Sequence, residues 1–336
     1  MEIGLFTFGD ITADPTTGRV TSPVERYADI LAAGQLADEA GLDVFGVGEH
    51  HRPDLPISSP AVVLAAIAAR TKRIRLTSAV TILSTLDPVR VYQDFASLDL
   101  VSGGRAELIV GRGAFVESFP LFGHDMADYD ALFAEKLDLL RAIDASERVT
   151  WKGRFRPPLE DAAVSPRALS GLPIWVGAGG TPESAARAGD LGLPLALANI
   201  TKPPSELGGQ IADYRRRHPS GGRLAIATHG YVTRDSQIAH DEFYPHYNAY
   251  FGAHAPRSYA TVQTPRDVFD RRASPSGAIY VGSPQQIVDK IMAAREVFGG
   301  VERLVIEIDL GGIPYPKLAR AIELLASDVL PKVRSL

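Results

Sequence analysis

Three short segments of this chain carry residue types and spacings suited to chemistry. They are Glu49-His50-His51, Gly111-Arg112-Gly113, and the turn Gly177-Ala178-Gly179-Gly180-Thr181-Pro182. An imidazole exchanges a proton near neutral pH, so His50 is a candidate general acid or base. Neighbouring residues at a strand end face opposite ways, so His50 and His51 are not expected to chelate as a pair. Glu49 reads either as a base or as a carboxylate that orients its neighbours. The glycine turn followed by Thr-Pro resembles a phosphate cradle. Glycine lets an anion approach the backbone, and a helix start offers free N–H groups and the positive end of its dipole. A guanidinium at Arg112 could add bidentate bonds to the same phosphate; its alternative reading is a salt bridge at the rim of the fold.

Such residues need elements to position them, and short β-branched runs alternate with helix-period segments along the chain. Strands are expected at Ile3–Phe8, Val44–Gly48, Ile74–Leu83, Ala106–Val110, Pro173–Gly177, Leu193–Asn199, Leu224–Val232 and Arg303–Ile308. Helices between them open on Ser59-Pro60, Asp87-Pro88, Thr181-Pro182 and the capping box Ser283-Pro284-x-Gln286. Eight such alternations predict an α/β fold, a (β/α)₈ barrel in one domain over 1–336, with insertions after strands four and seven. A doubly wound open sheet is the competing arrangement. The stretch 148–170 reads as an extended excursion, and 236–280 as an insertion or lid carrying Tyr244, Tyr247, Tyr250, Phe251 and Tyr259. These rings could cover an apolar substrate or simply pack the insertion down. Barrel active sites lie at the C-terminal strand ends, which is where Glu49-His50-His51, Arg112 and Gly177–Gly180 fall. His229 and Tyr231 fall on strand seven, and Glu307 and Asp309 at strand eight.

Bulk composition removes other classes. The chain has 336 residues, 45% hydrophobic and 22% charged, which allows a large core. Its formal charge of -5 comes with interspersed signs and no basic stripe, so nucleic acid is not an expected partner. With no cysteine, disulfides, thiolate nucleophiles and cysteine metal sites are excluded. The strand-end histidines are too few and scattered for a metal-dependent hydrolase, so no metal site is expected. No window is apolar enough to span a membrane, and Met1–Phe8 carries no leader pattern, so a cytoplasmic protein is expected.

The motifs, taken in order, resemble the bacterial-luciferase-like flavin-dependent monooxygenases. The resemblance rests on Glu49-His50-His51, on Thr77-Ser78-Ala79 with Asp87-Pro88-Val89-Arg90, and on Leu98-Asp99-x-x-Ser102-x-Gly104-Arg105 leading into Val110-Gly111-Arg112-Gly113. It also rests on Pro173-Ile174-Trp175-Val176-Gly177-Ala178-Gly179-Gly180 and on Val281-Gly282-Ser283-Pro284 with Val329-Leu330-Pro331. It implies an oxidoreductase that takes reduced FMN, often from a separate flavin reductase, and uses O₂ on a small organic substrate, as a homodimer. It assigns His50 to catalysis and Arg112, Gly179, Gly180, Thr181 and Ser184 to the cofactor phosphate. It also places Ser78-Ala79, with a non-proline cis peptide, beside the flavin ring. Gly111 stands where the luciferases proper have a cysteine, and Gly179 where they have an acidic residue, which argues against light emission. A deazaflavin-dependent hydride-transfer enzyme of the same fold and a non-catalytic flavin-binding barrel are the alternatives.

Overall fold

A computed structural model of the protein describes residues 1–254 and 263–334. Eight parallel strands form the barrel: β1 (Glu2–Thr7), β2 (Val44–Val47), β3 (Arg75–Ser78, resuming at Thr81–Ile82), β4 (Ala106–Gly111), β5 (Ile174–Ala178), β6 (Leu195–Ala198), β7 (Leu224–Val232) and β8 (Arg303–Glu307). Each pairs with the next, and β8 pairs back on β1 with Leu5 opposite Ile306, which closes the ring and rules out the open sheet. The surrounding helices are α1 (Pro23–Ala40), α2 (Pro60–Ala68), α3 (Pro88–Ser102), α4 (Tyr129–Ala145), α5 (Pro182–Asp190), α6 (Pro204–Arg217), α7 (Pro284–Phe298) and α8 (Tyr315–Leu324).

The helix boundaries follow local chemistry. Ser22 and Ser283 close capping boxes with Glu25 and Gln286, and Asp87 accepts from the Val89 N–H. Gly41, Gly103 and Gly299 end their helices at positive φ, where side chains are disfavoured. Outward-facing strand residues such as Leu5, Leu76, Leu108 and Ile306 pack under these helices in the main core. Inward-facing residues fill the barrel in layers: Phe6, Val44 and Val305 in one group, Ile109, Trp175, Ala196 and Ala225 in another. At the N-terminal end, Arg303 plugs the bore. Its guanidinium is 2.6 Å from Glu2 and 2.5 Å from Glu107, and stacks over Trp175.

Two expectations change in detail. The excursion 148–170 contains an antiparallel hairpin, Arg148–Trp151 with Leu159–Ala163, joined through a register shift. The section 236–280 holds a long helix, Ser236–His254, a short one, Arg266–Ala273, and a strand, Tyr280–Gly282, that extends the sheet beside β7. Phe243 and Tyr247 are fully buried in the long helix, and the rings of Tyr244 and Tyr247 pack at an angle against Phe269. Those aromatics pack the section onto the barrel; Tyr259 lies outside the described residues. No helix among the described residues is long and apolar enough to cross a membrane.

Candidate active site

Residues from all parts of the chain meet at the C-terminal strand ends. Gly48-Glu49-His50 continues β2, and the His50 N–H donates to Ile57 O at 2.8 Å. The ring packs edge-on against Phe8, beyond β1, at 4.7 Å, and against Phe115, beyond β4, at 5.4 Å. Its Nδ1 is buried with no hydrogen-bond partner among the described residues. Burial drives the His50 pKa down to about 3, with smaller contributions from His254 and Arg52. This corrects the expectation of a group that titrates near pH 7. His50 is a neutral imidazole there, able to donate and accept hydrogen bonds but not half-protonated. His51 turns the other way, as expected. Its Nε2 lies 2.8 Å from Glu49, whose other oxygen accepts from the Ile82 N–H. Glu49 is therefore an orienting carboxylate that ties the His-His turn to β3.

Strand β3 breaks beside this turn. The non-proline cis peptide is Ala79–Val80, one residue later than the Ser78-Ala79 position expected. The reason is pairing: Ala79 N still donates to Val47 O in strand register, and only Val80 O turns, to accept from Glu49 N. Ser78 is wholly buried, and its hydroxyl is occupied by the backbone of Ile109, donating at 2.8 Å and accepting at 3.2 Å. Its side chain is thus a strut between β3 and β4, and the surface left at the mouth belongs to Ala79 and Val80. The Val80 side chain lies across the bore. A Cβ added at Gly111 or Gly177 would meet it at 2.7 Å, which explains glycine at both strand ends.

The next residue after Gly111 is Arg112, and the structure brings it to the glycine turn. One guanidinium nitrogen lies 2.8 Å from Ser184 Oγ and 3.3 Å from Thr181 Oγ1, and another lies 2.5 Å from Asp130. Tyr129 supports the guanidinium from below. Thr181 stands at the N-cap of α5 but does not cap it; its hydroxyl pairs with Ser184 Oγ at 2.8 Å. Gly180 has φ +88°, and a Cβ at Gly179 would meet nothing within 4 Å. A helix start with uncapped N–H groups, two hydroxyls, a guanidinium and open space over glycine together fit a phosphate monoester. Arg112 and the Gly179–Ser184 turn, assigned from two separate motifs, thus meet through Thr181 and Ser184, with Gly180 shaping the turn.

The sequence placed only part of what lies opposite, leaving out Asp10 and Arg26. Beyond β1 and β8, Asp10, Glu307 and Asp309 sit together with Arg26 of α1, all buried. Arg26 binds Asp309 at 2.7 Å and reaches Asp10 at 3.8 Å. Asp10 Oδ1, Asp309 Oδ1, Glu307 Oε2, Asn199 Oδ1 and both ring nitrogens of His229 are buried without a hydrogen-bond partner among the described residues. Unpaired buried polar atoms cost roughly 1–3 kcal/mol each, so their concentration at one mouth marks a place built to face something polar. The strand-end rule put His229, Glu307 and Asp309 in view, but only three-dimensional packing shows them stripped of partners. Among the described residues, no cluster of metal-ligating side chains occurs.

The C-terminal mouth of the closed parallel barrel thus brings Arg112, Thr181 and Ser184 together on one rim, with a buried imidazole beyond β2. The model of the luciferase-like monooxygenases matches residues 1–300, and the chain belongs to that family. It is 27% identical to the 4-hydroxyprotoasukamycin monooxygenase of Streptomyces nodosus subsp. asukaensis, over 90% of this chain and 85% of the relative. The oxygenase component of a flavin-dependent trigonelline monooxygenase from Acinetobacter baylyi is 23% identical over 98% and 95%. An F420-dependent glucose-6-phosphate dehydrogenase of Amycolatopsis mediterranei is 31% identical over 48% and 51%. Among solved structures, the monooxygenase RslO1 of Streptomyces bottropensis superposes with a TM-score of 0.85 at 25% identity, over 98% of this chain and 99% of that one. The oxygenating constituent of 3,6-diketocamphane monooxygenase of Pseudomonas putida, solved with FMN, shares the fold at a TM-score of 0.77 and 20% identity, each chain covered to 99%.

Proposed function

We propose that the protein is an FMN-dependent monooxygenase that takes reduced flavin from a separate reductase and uses O₂ to oxidise a small organic molecule. The observation that carries the reading is the convergence of Arg112 with Thr181 and Ser184 at the start of α5, next to the mouth that holds His50. Two monooxygenases align along nearly the whole chain, whereas the F420-dependent relative aligns over about half of it, which favours the oxygen-using branch.

When bound, reduced flavin would supply the electrons that activate dioxygen. The chain's own residues would do the rest. Arg112 would hold the phosphate by its guanidinium, with the two hydroxyls and the backbone of Gly179 and Gly180 completing the cradle. Ala79 and Val80, half-buried at the mouth, would contact the ring system. His50, kept neutral by Phe8 and Phe115, would offer a hydrogen bond to the reacting oxygen atoms without placing a charge beside them. The same aromatic walls would exclude water and accept an apolar substrate body. The helix Ser236–His254, with Tyr250 against His229, would wall the substrate side.

The test is a single turnover. Protein loaded anaerobically with reduced FMN is mixed with isotopically labelled dioxygen and a panel of small cyclic compounds. Label in a product supports the reading. A protein that instead reduces or oxidises the same compounds with a deazaflavin, and no oxygen uptake, would replace it with the hydride-transfer reading favoured by the half-length match.

A further inference from the structure

Strand register places His229 of β7 directly opposite Glu307 of β8, both pointing into the bore. His229 Nε2 lies 3.1 Å from Glu307 Oε2, and the two residues are 1% and 0% exposed. The other carboxyl oxygen, Oε1, accepts from the Phe8 N–H at 3.0 Å. Among the described residues, the cation that acts on this carboxyl, Arg26, is engaged with Asp309 at 2.7 Å and with Asp10 at 3.8 Å. The other described groups facing it are acidic or neutral. They are Asp10 beyond β1, Asp309 beyond β8, and Tyr250 of the helix Ser236–His254, whose ring lies 5.6 Å from that of His229. On the far side of His229 the nearest charge is Arg272, which donates to the Tyr247 hydroxyl.

We propose that Glu307 is a neutral carboxylic acid that donates to Nε2 of His229, and that this pair is a positioning unit for the His50 pocket. Carrying its proton on Oε2, Glu307 gives His229 the partner its Nε2 lacks and fixes the tautomer with hydrogen on Nδ1. With Oε1 it pins the Phe8 backbone, and Phe8 is the ring packed on His50. Burial raises the Glu307 carboxyl well above its ordinary range, Asp309 and Asp10 adding to it, while burial lowers the His229 imidazole to about 3. Both shifts favour the neutral forms that the proposed hydrogen bond uses. Ionising Glu307 would remove the donor and set a third negative charge beside Asp10 and Asp309. The alkaline limb of activity should then belong to Glu307.

The pH-rate arm of the test rests on the flavin-dependent reading; the infrared arm does not. At neutral pH, the wild-type protein should show the carbonyl stretch of a buried protonated carboxyl, and Glu307→Gln should lack that band. The amide in Glu307→Gln can still accept from Phe8 N and donate to His229 Nε2, so the variant should fold. Its turnover should no longer fall along the wild-type alkaline limb, because the amide cannot ionise. Glu307→Ala loses both bonds, and its turnover should drop by about 10²-fold. Superimposable infrared spectra of the wild type and Glu307→Gln, or an unchanged alkaline limb, would overturn the proposal. A lost acid band in a protein that binds no flavin leaves the pair standing and removes the flavin reading. Bound flavin with no acid band does the reverse.

Discussion

Replacing Arg112 with alanine should weaken reduced or oxidised FMN binding by about two orders of magnitude while leaving the fold intact. In the structure the guanidinium already faces Ser184 at 2.8 Å and Thr181 at 3.3 Å, so a phosphate over Gly179 would meet two of its N–H groups. A hydrogen bond to a charged partner contributes about 1.5–3 kcal/mol. The Arg112 side chain is 23% exposed, so the lower value per bond is appropriate. Two bonds then give about 3 kcal/mol, and at about 1.4 kcal/mol per tenfold the dissociation constant rises about 10²-fold. Asp130 sharpens the test, since its carboxylate, 67% exposed, holds the other guanidinium nitrogen at 2.5 Å. Asp130→Asn removes a competitor for the guanidinium and should tighten binding or leave it unchanged. Flavin fluorescence titration at two salt concentrations reads both variants, and the wild type should lose affinity with salt more steeply than Arg112→Ala. An Arg112→Ala protein with a wild-type melting temperature and a wild-type dissociation constant would refute the phosphate cradle.

Further outcomes follow from other parts of the site and core. His50→Ala should keep flavin affinity and lose about 10²-fold in turnover, the usual size of a lost hydrogen-bond donor at the reacting atoms. Because burial holds the imidazole neutral, the wild-type rate should show no His50 limb between pH 5 and 8, and a limb that vanishes in His50→Gln would contradict that. A folded pKa of about 3 against 6.5 means that the unfolded chain binds a proton first as pH falls. The His50 contribution is therefore fully present above about pH 6.5 and is lost progressively below it. His50→Gln should lose less stability than the wild type between pH 7 and pH 5, as read by denaturant midpoints. Arg303→Met takes from the buried Glu107 carboxylate its buried partner, leaving only the half-exposed Arg75, and should cost about 3 kcal/mol in chemical denaturation, with little effect on any flavin contact.

The barrel was legible because each strand is a short buried run bounded by a glycine or a proline cap, and because helices of ordinary length separate them. The placing of Arg112 and the glycine turn on one rim was legible for a related reason. Strand-end position is a one-dimensional property, so Arg112 and the Gly179-Gly180-Thr181 turn could be assigned to one rim before their contact was known. The protonation state of His50 was not legible. It depends on Phe8 and Phe115, which arrive from two other loops and strip the ring of water. The position of the cis peptide was missed by one residue because backbone pairing at Ala79 decides where β3 stops. Glu307 and Asp309 were in view as strand-end residues, but their grouping with Asp10 and Arg26 was not: these residues are separated by up to 299 positions and meet only when β8 closes on β1. The hairpin within 148–170 went unread because its strands are short, prolines and charges surround them, and a register shift interrupts the pairing.

The central claim is that this barrel mouth is a reduced-flavin site, and anaerobic titration with reduced FMN beside reduced deazaflavin tests it most directly. The account predicts saturable binding of reduced FMN that weakens in Arg112→Ala, and a weaker response to the deazaflavin. Preferential binding of the deazaflavin would move the protein to the hydride-transfer branch, and binding of neither would contradict the account at its base.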